Sequence, residues 1–407
     1  MSGEERSITW LSRLNFFLAD VRDGLGPFLG IFLMGHGWRA DDIGYVMTIG
    51  GIAGMLATTP AGALIDATRH KRMLVAVGAI LVVAGSLVLI LSTSFAPVAA
   101  SQVGIGIVGA VIGPAIAGLT LGMVGQRRLA SQLGRNEAWN HAGNVASAAL
   151  AGAVSYYWGI TAVFVLMALM ALASLACLAR IDPAHIDHEA ARGAASSQAD
   201  GVRISPLRLL LRSRVLLALA IAMMLFHLGN AAMLPLLGQS ATAQGAVSPG
   251  LYTALTIIVA QIVMVPVALA AGRLATRYGY VMLVTVALAA LPLRGLVAGY
   301  WDSPWCLLPV QILDGIGAGI LGVALPGLVA QLLQGSGHIN VGLGAVTAVQ
   351  SVGAALSPAL AGMMAQRHGY GMAFLMLTVF ALLALIIWYG LVLRAGNARP
   401  MNKFEAT

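Results

Sequence analysis

Charge is scarce in this sequence. Of its 407 residues, 9% are Asp, Glu, Lys or Arg, whereas 59% are hydrophobic. Soluble domains carry about 25% charged residues, so a water-facing surface cannot be covered with so few, and lipid must be the solvent for much of the chain. Cysteine is also nearly missing. Cys177 and Cys306 stand far apart, in or beside apolar segments, which excludes a disulfide framework or a metal-ligand spacing and leaves apolar packing. There is no nucleotide-binding P-loop, no His-x-x-x-His or Cys-x-x-Cys pair and no serine nucleophile elbow, so no ATP-driven pump is expected, and no cofactor or metal. A membrane-embedded enzyme acting on a lipid-linked substrate is the alternative of another class. The opening MSGEERSITW lacks the parts of a cleavable secretory signal, so the first apolar segment is expected to be retained.

The apolar residues come in runs long enough to cross a bilayer, which takes about 20 residues as a helix. Twelve runs are predicted, near 10–35, 42–62, 73–93, 96–123, 138–158, 160–180, 214–238, 250–272, 279–300, 304–332, 342–365 and 371–394. Each must be helical, because a backbone amide in lipid has to be satisfied within its own segment. The longest polar interruption falls between the sixth and seventh runs and reads as a flexible linker. The expected organisation is a six-helix bundle over 1–180, a linker over 181–212 and a second bundle over 213–407. The net charge of +8 does not point to nucleic acid, because the basic residues are spread over short loops. They fall on one side, and Arg39 and Arg367 alone on the other, which predicts that both termini are cytoplasmic in an inner membrane.

Similar landmarks recur at one spacing. Gly62 and Gly272, Gly143 and Gly353, and Gly152 and Gly362 are each separated by 210 residues. Gln102 and Gly106 answer Gln311 and Gly315 at 209, and Pro27 answers Pro235 at 208. Two parallel six-span repeats follow, related by an axis along the membrane normal.

On these features the chain resembles the major facilitator superfamily. The family's best-known signature lies between the second and third spans, and Gly62, Leu64, Asp66, Lys71 and Arg72 match it, with Arg69 where a second glycine is usual. A second copy keeps Gly272, Leu274, Ala275, Arg277 and Gly279, with Thr276 in place of the acid. The resemblance implies twelve helices, alternating access, a monomer, and a cytoplasmic gate in which the Asp66 carboxylate lies near the start of the eleventh span. It also points to the drug–proton antiporter branch, although Gln102 occupies the position of that branch's fourth-span arginine. Gly109-x-x-x-Gly113-Pro114 partly matches that branch's fifth-span motif but falls on the fourth span. It reads as small-residue packing with a proline kink.

Ionisable residues within a span are costly unless they meet a cavity or a partner. The first span carries Arg13, Asn15, Asp20, Arg22 and Asp23. At about 100° per residue, Asp20 and Asp23 share a face while Arg22 points elsewhere. The acids are candidates for holding a shared proton or a cationic solute, or else for a structural network with Arg22. In the seventh span His227 and Asn230 precede Pro235 and are expected to face the acidic pair. Arg294 and Asp314 form a candidate structural ion pair across neighbouring spans. Glu137, Asn140, His141 and Asn144 make a polar stripe on the fifth span, suited to a cavity wall or a gate contact. Gln102, Gln311 and Gln350 add neutral polar groups. The function expected is proton-coupled efflux of a small organic solute. Uptake of an anionic metabolite, with Arg22 or Arg294 as counter-charge, is the alternative.

Overall fold

The computed structural model describes residues 3–22, 25–187, 206–245, 248–334 and 338–390. Asp23 and most of the 181–212 linker lie outside them, as does the Asp66 side chain. Every described element is helical. The first span is broken into α1 (Gly3–Arg22) and α2 (Phe28–Gly35), with Pro27 at the N-cap of α2. Then come α3 (Ala40–Ala67), α4 (Lys71–Leu91), α5 (Phe95–Trp158) and α6 (Ala162–Ala179). After the short α7 (Pro206–Arg212), the seventh span is split into α8 (Arg214–Asn230) and α9 (Met233–Gln244). The chain continues through α10 (Pro249–Tyr300), α11 (Leu307–Leu332), α12 (Ile339–His368) and α13 (Tyr370–Trp388).

Nine described helical segments are long and apolar enough to cross a membrane by length and composition. Twelve crossings result, because α5 and α10 each turn back at a left-handed glycine, Gly125 (φ 65°) and Gly279 (φ 77°). The second arm of α5, like the broken first span, is too polar to stand out by hydropathy. The end where α1 begins and α3 finishes is called the near end below, and the opposite one the far end.

The repeat is visible as shared backbone contacts. Gly143 packs on the Phe16 carbonyl of α1, and Gly353 on the Met224 carbonyl of α8, so closely that a β-carbon at either glycine would collide. A β-carbon at Gly106 would strike the Gly50 carbonyl, and one at Gly315 would lie 2.6 Å from the Ala260 carbonyl. In lipid, where apolar contact alone gives little preference, such close approaches are what hold helices together. Gly159 and Gly369 take φ values of 83° and 88° at equivalent turns, which a residue with a β-carbon adopts at a cost. Apolar cores fill each half, and Cys177 and Cys306 are both buried and free.

Between the halves, α3 packs on α12, α2 on α9, and the second arm of α5 on the first arm of α10. The closest approaches lie toward the far end. β-Carbons at Gly44 and Gly362 would meet the Pro358 and Ala40 carbonyls, and one at Gly152 would press on Ala254. Ala359 N donates to Thr48 Oγ1 at 3.0 Å, and Ala40 N to Gln366 Oε1 at 3.3 Å. Only a cavity of about 10 Å³ remains where Gly44, Pro235 and Pro358 meet, with room for no solute. Toward the near end, by contrast, α1 and α8 make no extensive contact among the described residues.

Candidate functional site

A cavity of about 470 Å³ lies between the halves, above the closed far-end seam. Its walls come from the first, second, fourth and eleventh spans, including Arg22, Met47, Met55, Gln102 and Ser351. Gly50, Gly51, Gly54, Gly106 and Gly109 leave much of the wall without side chains.

Arg22 is the cation of this cavity. Helix α1 ends at this residue, so the helical wheel that set Arg22 apart from Asp20 and Asp23 stops there and does not carry through Asp23. Arg22 is exposed to the cavity, whereas Asp20, half-buried on α1, is not among the described lining residues. Among the described residues the guanidinium has no hydrogen-bonding or ion-pair partner. The Gly109 and Gly113 pair, expected to pack helices, instead makes room for Arg22. A β-carbon at Gly113 would lie 3.1 Å from Arg22 Nη2, and one at Gly109 would lie 3.7 Å from the Arg22 carbonyl.

The hydroxyls in the wall donate to their own helices, Thr58 to the Gly54 carbonyl and Ser351 to the Thr347 carbonyl, both at 2.9 Å. The donors left for a solute are the Arg22 guanidinium and the Gln102 amide. The cavity therefore offers one positive charge and two planar donor groups among small and thioether side chains.

The other candidates sit elsewhere. Arg294 is 1% exposed and donates through Nη1 to Asp314 Oδ1 at 2.7 Å and to Asn230 Oδ1 at 2.5 Å. It thus draws Asn230 into the second half, away from the anticipated meeting with the first-span acids. His227 Nδ1 bonds the Met223 carbonyl of its own helix at 2.9 Å. Gln311 is fully buried, and neither amide atom finds a partner among the described residues. On the fifth span Glu137 is exposed, Asn140 and Asn144 are half-buried, and His141 shares a 3.0 Å hydrogen bond with Gln261 of the eighth span, joining the two halves at mid-depth. Asn15 bonds its own helix at Leu11, and Arg13 lies over the Trp10 ring.

At the near end Lys71 is buried, and its Nζ donates to the Ile65 and Thr68 carbonyls at 2.9 and 3.0 Å, closing the end of α3. Arg72 donates to the Leu178 carbonyl at 2.8 Å. All three bonds stay within the first half. Arg69 is exposed, Arg277 lies over Tyr278, and Gly62 and Gly272 have open space around them.

One polar network escaped notice in the sequence. Gln132 Nε2 bonds Ser12 Oγ and Asn136 Oδ1, and Asn136 Nδ2 bonds Thr120 Oγ1. The i, i+4 spacing of Gln132 and Asn136 was its only available signal.

Comparison with known proteins agrees with this architecture. Residues 8–342 match the sequence model of the Major Facilitator Superfamily. The chain belongs to that superfamily. It is 41% identical over 373 residues to an uncharacterised MFS-type transporter of Mycobacterium tuberculosis, found in strains CDC 1551 and H37Rv, covering 91% of this chain and 89% of the relative. Crystal structures of the nucleoside transporter NupG and of a point variant of it superpose with TM-scores of 0.73 and 0.74. At 15% and 13% identity, and with 96% of this chain covered, they show that the fold is shared. As a major facilitator the protein is a multi-pass membrane transporter of a small-molecule substrate, not an enzyme.

Proposed function

We propose that this transporter carries a small amphipathic organic anion, held by Arg22 and Gln102 and moved by alternating access of the two halves. The carrying observation is the Arg22 guanidinium, exposed in a cavity of about 470 Å³ and without a partner among the described residues. A cation in such a place favours a carboxylate or a comparable anionic group, and hydrogen bonds to charged groups contribute about 1.5–3 kcal/mol. Of the two arginines considered as counter-charge, Arg294 is already committed to Asp314. Glycine-lined walls and Met47 and Met55 suit a flat or apolar body attached to that charge.

The seam is closed at the far end and the halves are apart at the near end, which is one end-state of a rocking cycle. With the basic loops at the near end, we place that side in the cytoplasm of an inner membrane. The preferred direction is efflux coupled to protons, with Asp20, two residues before Arg22, as the coupling acid. The nucleoside named for NupG is a neutral alternative. The test is flux into and out of proteoliposomes for aromatic carboxylates, quaternary ammonium dyes and nucleosides. The anion should be carried by wild type and lost in Arg22→Gln. Transport of cations or nucleosides that survives Arg22→Gln would overturn the substrate class. Proton movement intact in Asp20→Asn would remove that residue from coupling.

A further inference from the structure

A cavity larger than the central one lies elsewhere among the described residues. A crevice of about 830 Å³ opens at the near end between the start of α4 and the end of α6. Its mouth is basic, formed by Arg69, His70 and Arg72, and its floor is apolar, with Ala76, Leu119 and Leu175 among its residues. It lies within the first half, so no solute path between the halves runs through it.

Among the described residues the charges at the mouth have no counter-ions. Arg69 is exposed, and neither its side chain nor that of His70 has a partner among the described residues. Arg72 uses one nitrogen on the Leu178 carbonyl, while its buried Nε has no hydrogen-bond partner among the described residues. Helix α4 starts here with no side-chain cap, so its first amides and its dipole add to the positive field. Asp182 is turned to the Ala184 amide and is not among the described lining residues. The floor descends along α4 and α6 into the hydrocarbon region, and Met73 at its rim is 57% exposed. Such a shape, cationic at headgroup depth and greasy below, fits an amphiphile that carries its negative charge at one end.

We propose that this crevice is a binding site for an anionic phospholipid of the near-end leaflet. Its phosphate would sit among Arg69, His70, Arg72 and the α4 amides, and an acyl chain would lie along Ala76, Leu119 and Leu175. A free phosphate would satisfy the mouth but leave the apolar floor uncovered, which is why a lipid is the occupant assigned.

The experiment uses the full-length protein in detergent, with lipid adducts counted by native mass spectrometry. The probes are phosphatidylglycerol, phosphatidylcholine of the same acyl chains, and glycerol 1-phosphate. A phosphatidylglycerol bearing a photoreactive acyl chain maps the site. Phosphatidylglycerol should be retained over phosphatidylcholine, and the label should fall on α4 or α6. Arg69→Gln should weaken retention about fivefold, the effect of one basic side chain at a membrane surface. Ala76→Phe, which fills the floor without changing charge, should also weaken it, and Leu175→Phe serves if the first variant is not folded. Equal retention of the two lipids would overturn the proposal, as would displacement by equimolar glycerol 1-phosphate. So would labelling confined to another part of the chain, or retention unchanged in both kinds of variant.

Discussion

Arg22 and Arg294 show how one residue type takes two roles through its neighbours. Arg294 is sealed among Asp314 and Asn230, and removing one partner of a buried pair leaves an uncompensated charge. Arg294→Met is therefore expected to destabilise the protein by about 3–5 kcal/mol. The double variant Arg294→Met/Asp314→Leu should recover most of that loss, as read by thermal unfolding in detergent. Arg22 has no such partner among the described residues, so Arg22→Gln should leave the unfolding temperature nearly unchanged. It should weaken binding of an acidic ligand by about 10- to 100-fold, as expected for a lost charged hydrogen bond, measured by ligand titration. Arg22→Lys should keep the charge but lose the planar fork, with an intermediate result. What the sequence does not show is the exposure of Arg22 to the cavity or the third member of the Arg294 cluster. The helix ends at Arg22, which no periodicity announces, and Asn230 meets Arg294 across 64 residues of chain. The Arg294–Asp314 pair was readable because both residues are ionisable within apolar runs, where a partner is required.

Glycine positions govern how the helices meet. Gly143 and Gly353 each press on a carbonyl of the broken span of their own half. Gly143→Ala and Gly353→Ala should each cost about 1–3 kcal/mol, because backbone cannot yield as a side-chain tip does. Gly62→Ala, with nothing within 4 Å, should be neutral or stabilising. Unfolding of the three purified variants side by side checks the contrast. This layer of the structure was the most legible from sequence. A repeat of 210 residues survives because close backbone contacts tolerate no β-carbon, whereas side chains around them are free to diverge. The helix breaks were less so: Pro27 ends the interruption of the first span and Pro235 lies just past that of the seventh, and they mark each break only to within a few residues.

Considered as a whole, the molecule is closed on one side by contact between its halves. A β-carbon at Gly51 would lie 3.2 Å from Ala355 Cβ, near the spacing of about 3.5–4.5 Å that a disulfide spans. Gly51→Cys/Ala355→Cys should therefore crosslink readily, stop flux, and recover it on reduction while ligand binding persists; full flux with the crosslink intact would mean that the halves do not part there. The mid-depth bond of His141 to Gln261 joins residues 120 apart; the sequence shows each as a polar group in an apolar run but not that they meet. Among the described residues, what joins the halves at the far end is glycine packing and bonds from backbone amides to neutral side chains, with no ion pair across the seam. Contacts of that kind are little affected by dissolved electrolyte, which screens exposed charges within about 8 Å at physiological ionic strength. The open, arginine-bearing end has no such immunity. Changes in salinity on the far side should leave the closed state's population almost untouched, while the same change on the near side alters the field that a charged solute meets as it approaches Arg22.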